Sequence, residues 1–444
     1  MIKISKYLYK IEFENQILLY QPISDQMFKM KRGEYDVFSS KLKNINLFKN
    51  DYPTFYNWLT ENLFLVSNDV TELNIIRTMN KVKCFSDKDY WLTINPTLEC
   101  NLNCWYCSVK EATGGKIFEG KVNSSVYLSL EKHIQYMITQ KKITGLHIDW
   151  FGGEPLLYFK EVILPLSKYA IDVTSKYKIP LTCHITTNGT LISKSMARQF
   201  KQLNINSFQI SIDGNKSAHD KVKYFKNNKN SAYDTTIKNI ILILEANINA
   251  VVDVRINFDK DTLSDIDSVL NAFPIGLRKQ INIDFHKIFQ LTKIKDVDIN
   301  IFVEKAKTLG YSSSYWAFRP QRFYTCYADK YFHAAINFDG KVFKCTARDY
   351  TEKFQIGTLL ENGKIEYIGF KQFEMHALAS FENEQCLKCK YLPLCFGPCI
   401  QFAFDKNNND CNRDICAKNN WEMTVNDFII SKYKESLKIN DSEK

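Results

Sequence analysis

The chain has 444 residues, 45% hydrophobic and 24% charged, with a formal net charge of +10 and 13 cysteines. Such a composition is ordinary for a soluble globular protein, and the length calls for two or three domains rather than one core. No apolar run approaches the ~20 residues of a membrane span. The start, Met1-Ile2-Lys3-Ile4-Ser5-Lys6, lacks the apolar region of a signal peptide. A cytoplasmic protein with no membrane partner is expected, and in that compartment so many cysteines point to metal or redox chemistry rather than disulfides.

Taken in order, Lys3 to Tyr9 and Ile11 to Tyr20 alternate as paired strands do, with Glu14-Asn15 as the turn. They end near Tyr20-Gln21-Pro22, where Pro22 cannot donate to a ladder, so an open sheet edge is expected there. Helical periodicity follows at roughly 33–43, 52–64 and 69–83. From about 88 to 310 strands and helices alternate. The strand-like runs are 91–95, 146–151, 181–186, 207–212, 251–257 and 281–287, with helices between them such as Ser125–Lys141, Phe159–Lys176, Ser193–Leu203 and Tyr233–Ala246. Alternation of this length implies an α/β class with parallel strands and right-handed crossovers. A lysine excess at Lys216, Lys221, Lys223, Lys226 and Lys229, opposed locally only by Asp220, reads as a solvated loop or as attraction for an acidic peptide. No nucleic-acid motif accompanies it, and none is expected to bind. After about 320 the alternation stops, and Ala334 to Lys344 reads as a hairpin around Asp339-Gly340.

Directly after the first of the alternating strands stands Cys100-Asn101-Leu102-Asn103-Cys104-Trp105-Tyr106-Cys107. A [4Fe–4S] cube normally takes four cysteines, so three on one loop leave an iron without a protein ligand. Zinc prefers cysteine pairs in separated halves, and no His lies near this loop. The Cys-x3-Cys-x2-Cys spacing, with an aromatic before the third cysteine, resembles the radical S-adenosylmethionine (SAM) superfamily. In that family the open iron chelates SAM, which is cleaved on reduction to a 5′-deoxyadenosyl radical. The resemblance implies an incomplete TIM-like barrel of six β/α units, whose active sites lie at the C-terminal strand ends.

Motifs sit at those ends. The second strand closes in Phe151-Gly152-Gly153-Glu154-Pro155, where adjacent glycines let backbone approach a ligand closely. The resemblance places Gly152, Gly153 and Glu154 against the SAM amino group. Asn188 follows the third strand. Ser211 and Asp213 end the fourth on one face, opposite Ile210 and Ile212, where the ribose and methionine parts of SAM would be met. Arg255, two before Asn257, offers a planar fork suited to the SAM carboxylate. Each polar pair could instead be a satisfied position lining the barrel. Lys223 stands where an arginine often follows His219-Asp220, and Ser108 replaces an aromatic after Cys107.

The later cysteines resemble the SPASM extension of radical SAM peptide-modifying enzymes, which binds two auxiliary [4Fe–4S] clusters. By that pattern Cys326, Cys345 and Cys399 hold the first, and Cys386, Cys389, Cys395 and Cys416 hold the second. Cys411 could complete either, and a zinc ribbon is the plainer alternative. Residues 1–85 look like the winged-helix element that binds a leader peptide by β-augmentation in many such maturases, with a structural cap as the alternative. The expected domains are therefore 1–85, a barrel over 86–315, and an auxiliary-cluster domain with a C-terminal helix over 316–444. The expected activity is thioether or carbon–carbon crosslinking of a ribosomally made precursor peptide. Three clusters, SAM and an external flavodoxin- or ferredoxin-type donor would serve it, and no general base is assigned. An anaerobic sulfatase maturase is the rival; its aspartate after the Gly-x4-Cys cysteine is here Thr346, the nearest acid being Asp349. A non-catalytic iron–sulfur carrier or peptide scaffold is the alternative of another class, against which Gly152-Gly153-Glu154 and Arg255 speak.

Overall fold

Glu14 and Asn15 close the first hairpin. Both take left-handed backbone, φ 48° and 59°, which matches the right-handed twist of the strands they join. The computed structural model describes all residues except 1, 87, 108, 110–119, 228, 260–261, 289–297, 316–325, 348–349, 378–382, 402–415, 417–420, 422 and 443–444. The chain divides into two compact units, residues 1–86 with 317–330 and 374–444, and residues 87–316 with 331–373.

In the first unit β1 (Ile2–Ile4) pairs with β5 (Leu65–Ser67), while β2 (Tyr9–Phe13), β3 (Gln16–Gln21) and β4 (Gln26–Lys31) form an antiparallel sheet. Helices Arg32–Lys41, Ile45–Asp51, Pro53–Glu61 and Glu72–Phe85 account for the expected helical stretches and add a short one. One expectation is corrected. The strand ending in Tyr20-Gln21 is the central strand of its sheet, bonded on both sides, so the edges belong to β2 and β4. Both faces are covered. Ile17 and Leu19 pack on Phe48, Leu59 and Phe64, whereas Tyr9, Ile11, Leu18 and Tyr20 pack on Leu394, Val425, Ile429 and Tyr433. The second core joins the N-terminal sheet to the helix Val425–Ser442 and to the cysteine-bearing stretch around Leu394.

In the second unit the six expected strands appear as β6 (Asp89–Ile94), β8 (Gly145–Trp150), β9 (Leu181–Thr187), β10 (Ile205–Ile212), β12 (Val251–Phe258) and β13 (Ile281–Lys287). Short β7 (Leu102–Cys104) and β11 (Lys223–Phe225) lie apart from them as an antiparallel ribbon. Further along come β14 (Ser312–Tyr315), β15 (His333–Ile336), β16 (Lys341–Phe343), β17 (Gly357–Leu359) and β18 (Ile365–Tyr367). The sheet order is β14-β13-β12-β10-β9-β8-β6-β15-β16-β17-β18. The strands from β14 through β15 run parallel, and the rest continue antiparallel. Crossover helices such as Ser124–Thr139, Lys194–Gln202 and Ala232–Ala246 connect them, so the fold is the partial α/β barrel expected.

The parallel run exceeds six strands. β15, expected only as one arm of a hairpin with β16, also lies beside β6. All four of its residues are buried, as an interior parallel strand requires. β14 is Ser-Ser-Ser-Tyr, a composition with no strand signal of its own. The C-terminal strand ends thus gather the loops that follow β6, β8, β9 and β10.

Candidate active site

The cysteine loop is held from below by the two glycines. Gly152 has φ +120°, and a Cβ there would stand 2.2 Å from the Thr97 carbonyl oxygen. A Cβ on Gly153 would stand 2.1 Å from that of Glu99. Their close approach is therefore to the backbone just before Cys100, where Gly153 N–H donates to Thr97 O at 3.0 Å and Glu154 N–H to Glu99 O at 2.7 Å. Glu154 is fully buried and accepts from Thr187 Oγ1 at 2.7 Å, the Asn188 N–H at 2.8 Å and the Leu156 N–H at 3.0 Å. Burial pushes its carboxyl up to about 7, with those donors opposing. Asn188 carries the clamp onward, donating from Nδ2 to Asn101 Oδ1 at 2.9 Å and to Cys100 Sγ at 3.6 Å.

The three thiols of the loop feel one another's charge. Burial raises the Cys100 thiol to about 11, and Glu154 and then Cys107 add to it. Burial raises Cys104 to about 12; Lys223 pulls it back, while Cys100, Asp213 and Cys107 push the same way as burial. Thiols that raise one another in this way form thiolates readily once a metal supplies positive charge among them. Among the described residues no three Cys, His, Asp or Glu side chains converge as on a single metal ion. The donor set is the one an iron–sulfur cube takes, and the residues fit it.

Above the loop, the ribbon of β7 and β11 sets Lys223 opposite Cys104. This corrects the solvated-loop expectation for one lysine. Lys223 is 3% exposed, its Nζ donating to Ser211 O at 3.1 Å and to Ser211 Oγ, and lying 3.6 Å from Asp213 Oδ1. Lys216 is likewise engaged, by Asp234. Asp213 is fully buried and also accepts from Tyr106 Oη at 2.5 Å and Asn257 Nδ2 at 3.2 Å. Asn257 Nδ2 reaches Tyr106 Oη at 3.1 Å, and Arg255 Nε donates to Asn257 Oδ1 at 3.1 Å. Burial lowers the Arg255 guanidinium, with Asp284 its strongest counterweight. Asp284 in turn binds His286 Nε2 at 2.6 Å. Asp284 and His286 escaped the sequence reading, which marked Tyr106 only as the aromatic before Cys107 and Lys223 only as one of a lysine excess and a departure from the family pattern. The two-residue period that marked Arg255 and Asn257 also marks Asp284 and His286 on the next strand.

Deeper in the barrel, burial pushes the Asp149 carboxyl up to about 7 and the His184 imidazole down to about 4. A carboxyl raised above its unfolded value contributes stability below the unfolded value and loses it as pH rises through the folded one. Asp149→Asn is expected to raise the melting temperature at pH 8 and leave it unchanged at pH 4, measured by thermal unfolding.

Of the auxiliary cysteines, Cys386, Cys389, Cys395 and Cys416 lie together in the first unit. Burial raises Cys386 to about 11, with Cys389 and Cys416 adding to it. Burial also raises Cys395 to about 12, and the same neighbours add. Cys326 and Cys399 belong to that unit and Cys345 to the other. Cys411 and Asp349 lie outside the described residues, and Thr346 is half-buried.

The family model described as the radical SAM superfamily matches residues 94–273, which hold the cysteine loop and strands β8 to β12. Residues 94–273 are a radical SAM domain. Members of that superfamily are enzymes, and the domain serves an iron–sulfur cluster and SAM, which the residues above fit. The chain is 24% identical over 358 residues to the radical SAM cyclopropyl synthase TigE of Paramaledivibacter caminithermalis, covering 74% of this chain and 72% of that one. It is 30% identical over 182 residues to a cysteine-type anaerobic sulfatase-maturating enzyme of Clostridium novyi, covering 39% of this chain and only 45% of that one. The solved structure of native anSMEcpe with bound AdoMet and Cp18Cys peptide superposes with a TM-score of 0.57 at 18% identity. That match covers 80% of this chain and 100% of the other, and it shows the shared fold.

Proposed function

We propose that the chain is a radical SAM enzyme that modifies a ribosomally made peptide. The observation that carries this is the gathering of Cys100, Cys104 and Cys107 at the strand ends, clamped by Asn188 and Glu154 beside the polar network of Asp213, Asn257 and Arg255. Bound there, a [4Fe–4S] cluster and SAM supply a 5′-deoxyadenosyl radical for removing a hydrogen from a peptide side chain. The Gly152-Gly153 backbone would receive the SAM amino group, Ser211 and Asn188 its ribose and methionine parts, and Arg255 its carboxylate; Glu154, fully buried with three donors on it, would act by holding Asn188 and the loop backbone in place. Asp213, enclosed on all sides, would act by holding Tyr106 and Asn257 in place.

Two auxiliary clusters, on Cys326, Cys345 and Cys399 and on Cys386, Cys389, Cys395 and Cys416, would accept the electron or hold a substrate sulfur. The grouping of the second set supports this SPASM-like reading. The domains would be 1–85 for a leader, 86–315 for the barrel and 316–444 for the auxiliary clusters, in a cytoplasmic enzyme. Among the described residues no helix is long and apolar enough to cross a membrane. Relatives support the substrate class: anSMEcpe is solved with a bound Cp18Cys peptide, and the names of the sulfatase-maturating enzyme and of a sporulation killing factor maturation protein of Bacillus subtilis, 24% identical over 223 residues, concern maturation.

The test is anaerobic incubation of the reconstituted, reduced protein with SAM and short peptides encoded beside its gene. A peptide mass lower by two hydrogens supports a crosslink, and SAM cleavage without any change in peptide mass contradicts the substrate class. Arg255→Ala is expected to weaken SAM binding by about 10- to 100-fold, the loss of a charge-assisted contact of about 1.5–3 kcal/mol. Iron content should stay at the wild-type value. Equilibrium dialysis with SAM reads the affinity.

A further inference from the structure

We infer that the outer face of the β7–β11 ribbon is the docking surface for an acidic electron-transfer protein. Its low-potential flavin or iron–sulfur centre would pass single electrons through the ribbon to the cysteine loop. The inference rests on the radical SAM reading of that loop.

Side chains alternate across the ribbon. Cys104 and Lys223 face inward, toward Ser211 and Asp213. Asn103 and Tyr224, paired across the strands, face outward, and Asn103 Nδ2 donates to Tyr224 Oη at 2.6 Å. Tyr224 is 47% exposed and Trp105, between two of the thiols, is 56% exposed. Large aromatics left open to solvent are the residues that anchor protein interfaces.

Around them lysines outnumber acids. Lys221, Lys226 and Lys229 are exposed, and no carboxylate pairs with them among the described residues. Lys226 is fixed to the loop itself, its N–H donating to Asn101 O at 3.2 Å. The acids nearby are fewer and each is held by a partner. Asp220 accepts the Tyr233 N–H at 2.9 Å, Asp234 binds Lys216, and Glu99 accepts the Gly120 N–H at 2.8 Å. A lysine field beside exposed rings steers and holds an acidic partner.

The geometry favours a redox protein over an acidic substrate peptide. An occupant of the outer face is separated from Asp213, Asn257 and Arg255 by the ribbon. It cannot present a C–H bond there, but one strand is all an electron must cross. Each transfer oxidises the partner's centre by one electron and reduces the cluster by one; no bond to the partner forms and no proton moves.

The test compares two reductants on the reconstituted protein, dithionite and a reduced acidic flavodoxin. The variants carry Lys221→Glu, Lys226→Glu and Lys229→Glu together, or the three changes to Arg as a fold control. Flavodoxin-driven SAM cleavage is expected to fall about 10-fold or more in the Glu variant, while the dithionite-driven rate stays at the wild-type value. The Arg variant should behave as wild type, and added salt should slow only proteins that keep the positive charge. An undiminished flavodoxin-driven rate overturns the inference. So does a Glu variant that cleaves SAM normally with dithionite yet fails to modify a peptide, since the surface would then serve the substrate. If the wild type cleaves no SAM even with dithionite, the radical SAM reading fails separately. Calorimetric titration with flavodoxin at low salt then decides the surface: heat lost in the Glu variant supports docking, and equal heat overturns it.

Discussion

Replacing Cys100, Cys104 and Cys107 together by alanine is expected to remove about four of about twelve irons per chain and to abolish SAM cleavage. The effect should be local to the loop. Cys386, Cys389, Cys395 and Cys416 belong to the other compact unit and rest against its own core, in which Leu394 packs on Tyr9 and Leu18. Iron and sulfide assays of anaerobically reconstituted protein check the first part, and the spectrum of the reduced variant shows whether the remaining clusters are intact. Unchanged iron content would mean that the thiols gathered beside Asn188 hold no cluster.

Lys223→Met is expected to cost about 3–5 kcal/mol of stability, the usual result of removing one partner from a buried ion pair. The pair is enclosed, with side-chain exposures of 4% and 0% for Lys223 and Asp213. Without the ammonium, Asp213 keeps only neutral donors, Tyr106 and Asn257, and Ser211 loses its partner. The same change slackens the ribbon that carries Cys104. Chemical denaturation measures the loss, and Lys223→Arg, which keeps the charge, should recover most of it. A cost under about 1 kcal/mol would place the ammonium in solvent, since exposed pairs contribute no more than that.

The barrel was legible because its strands are buried on a parallel sheet and announce themselves as short apolar runs, each ending in a polar motif. β6, β8, β9, β10, β12 and β13 fall close to their expected bounds for that reason. β14 and β15 were not read as sheet neighbours, since pairing between distant segments leaves no local trace in three serines or two alanines. The inward turn of Lys223 was invisible in the same way. A run of lysines looks solvated until the antiparallel pairing with Leu102–Cys104 decides which of them faces in. Gly152 and Gly153 were marked for the right property, close approach, but what they approach is the loop's own backbone. The N-terminal sheet shows the limit most plainly. Its hairpin could be drawn from Glu14-Asn15, yet nothing local in Tyr9 or Tyr20 says that Leu394 and Val425 cover them. Deleting residues 1–85 would therefore strip a face from the unit that holds the second cysteine set, so point changes are the better probe of leader recognition.

The most direct measurement is 5′-deoxyadenosine formation from SAM by the anaerobically reconstituted, dithionite-reduced chain, followed by mass spectrometry. The loop of Cys100, Cys104 and Cys107 clamped by Asn188 and Glu154 predicts 5′-deoxyadenosine and methionine in equal amounts, with none from the triple alanine variant. SAM left intact by protein that holds its full complement of iron would contradict the assignment of the site.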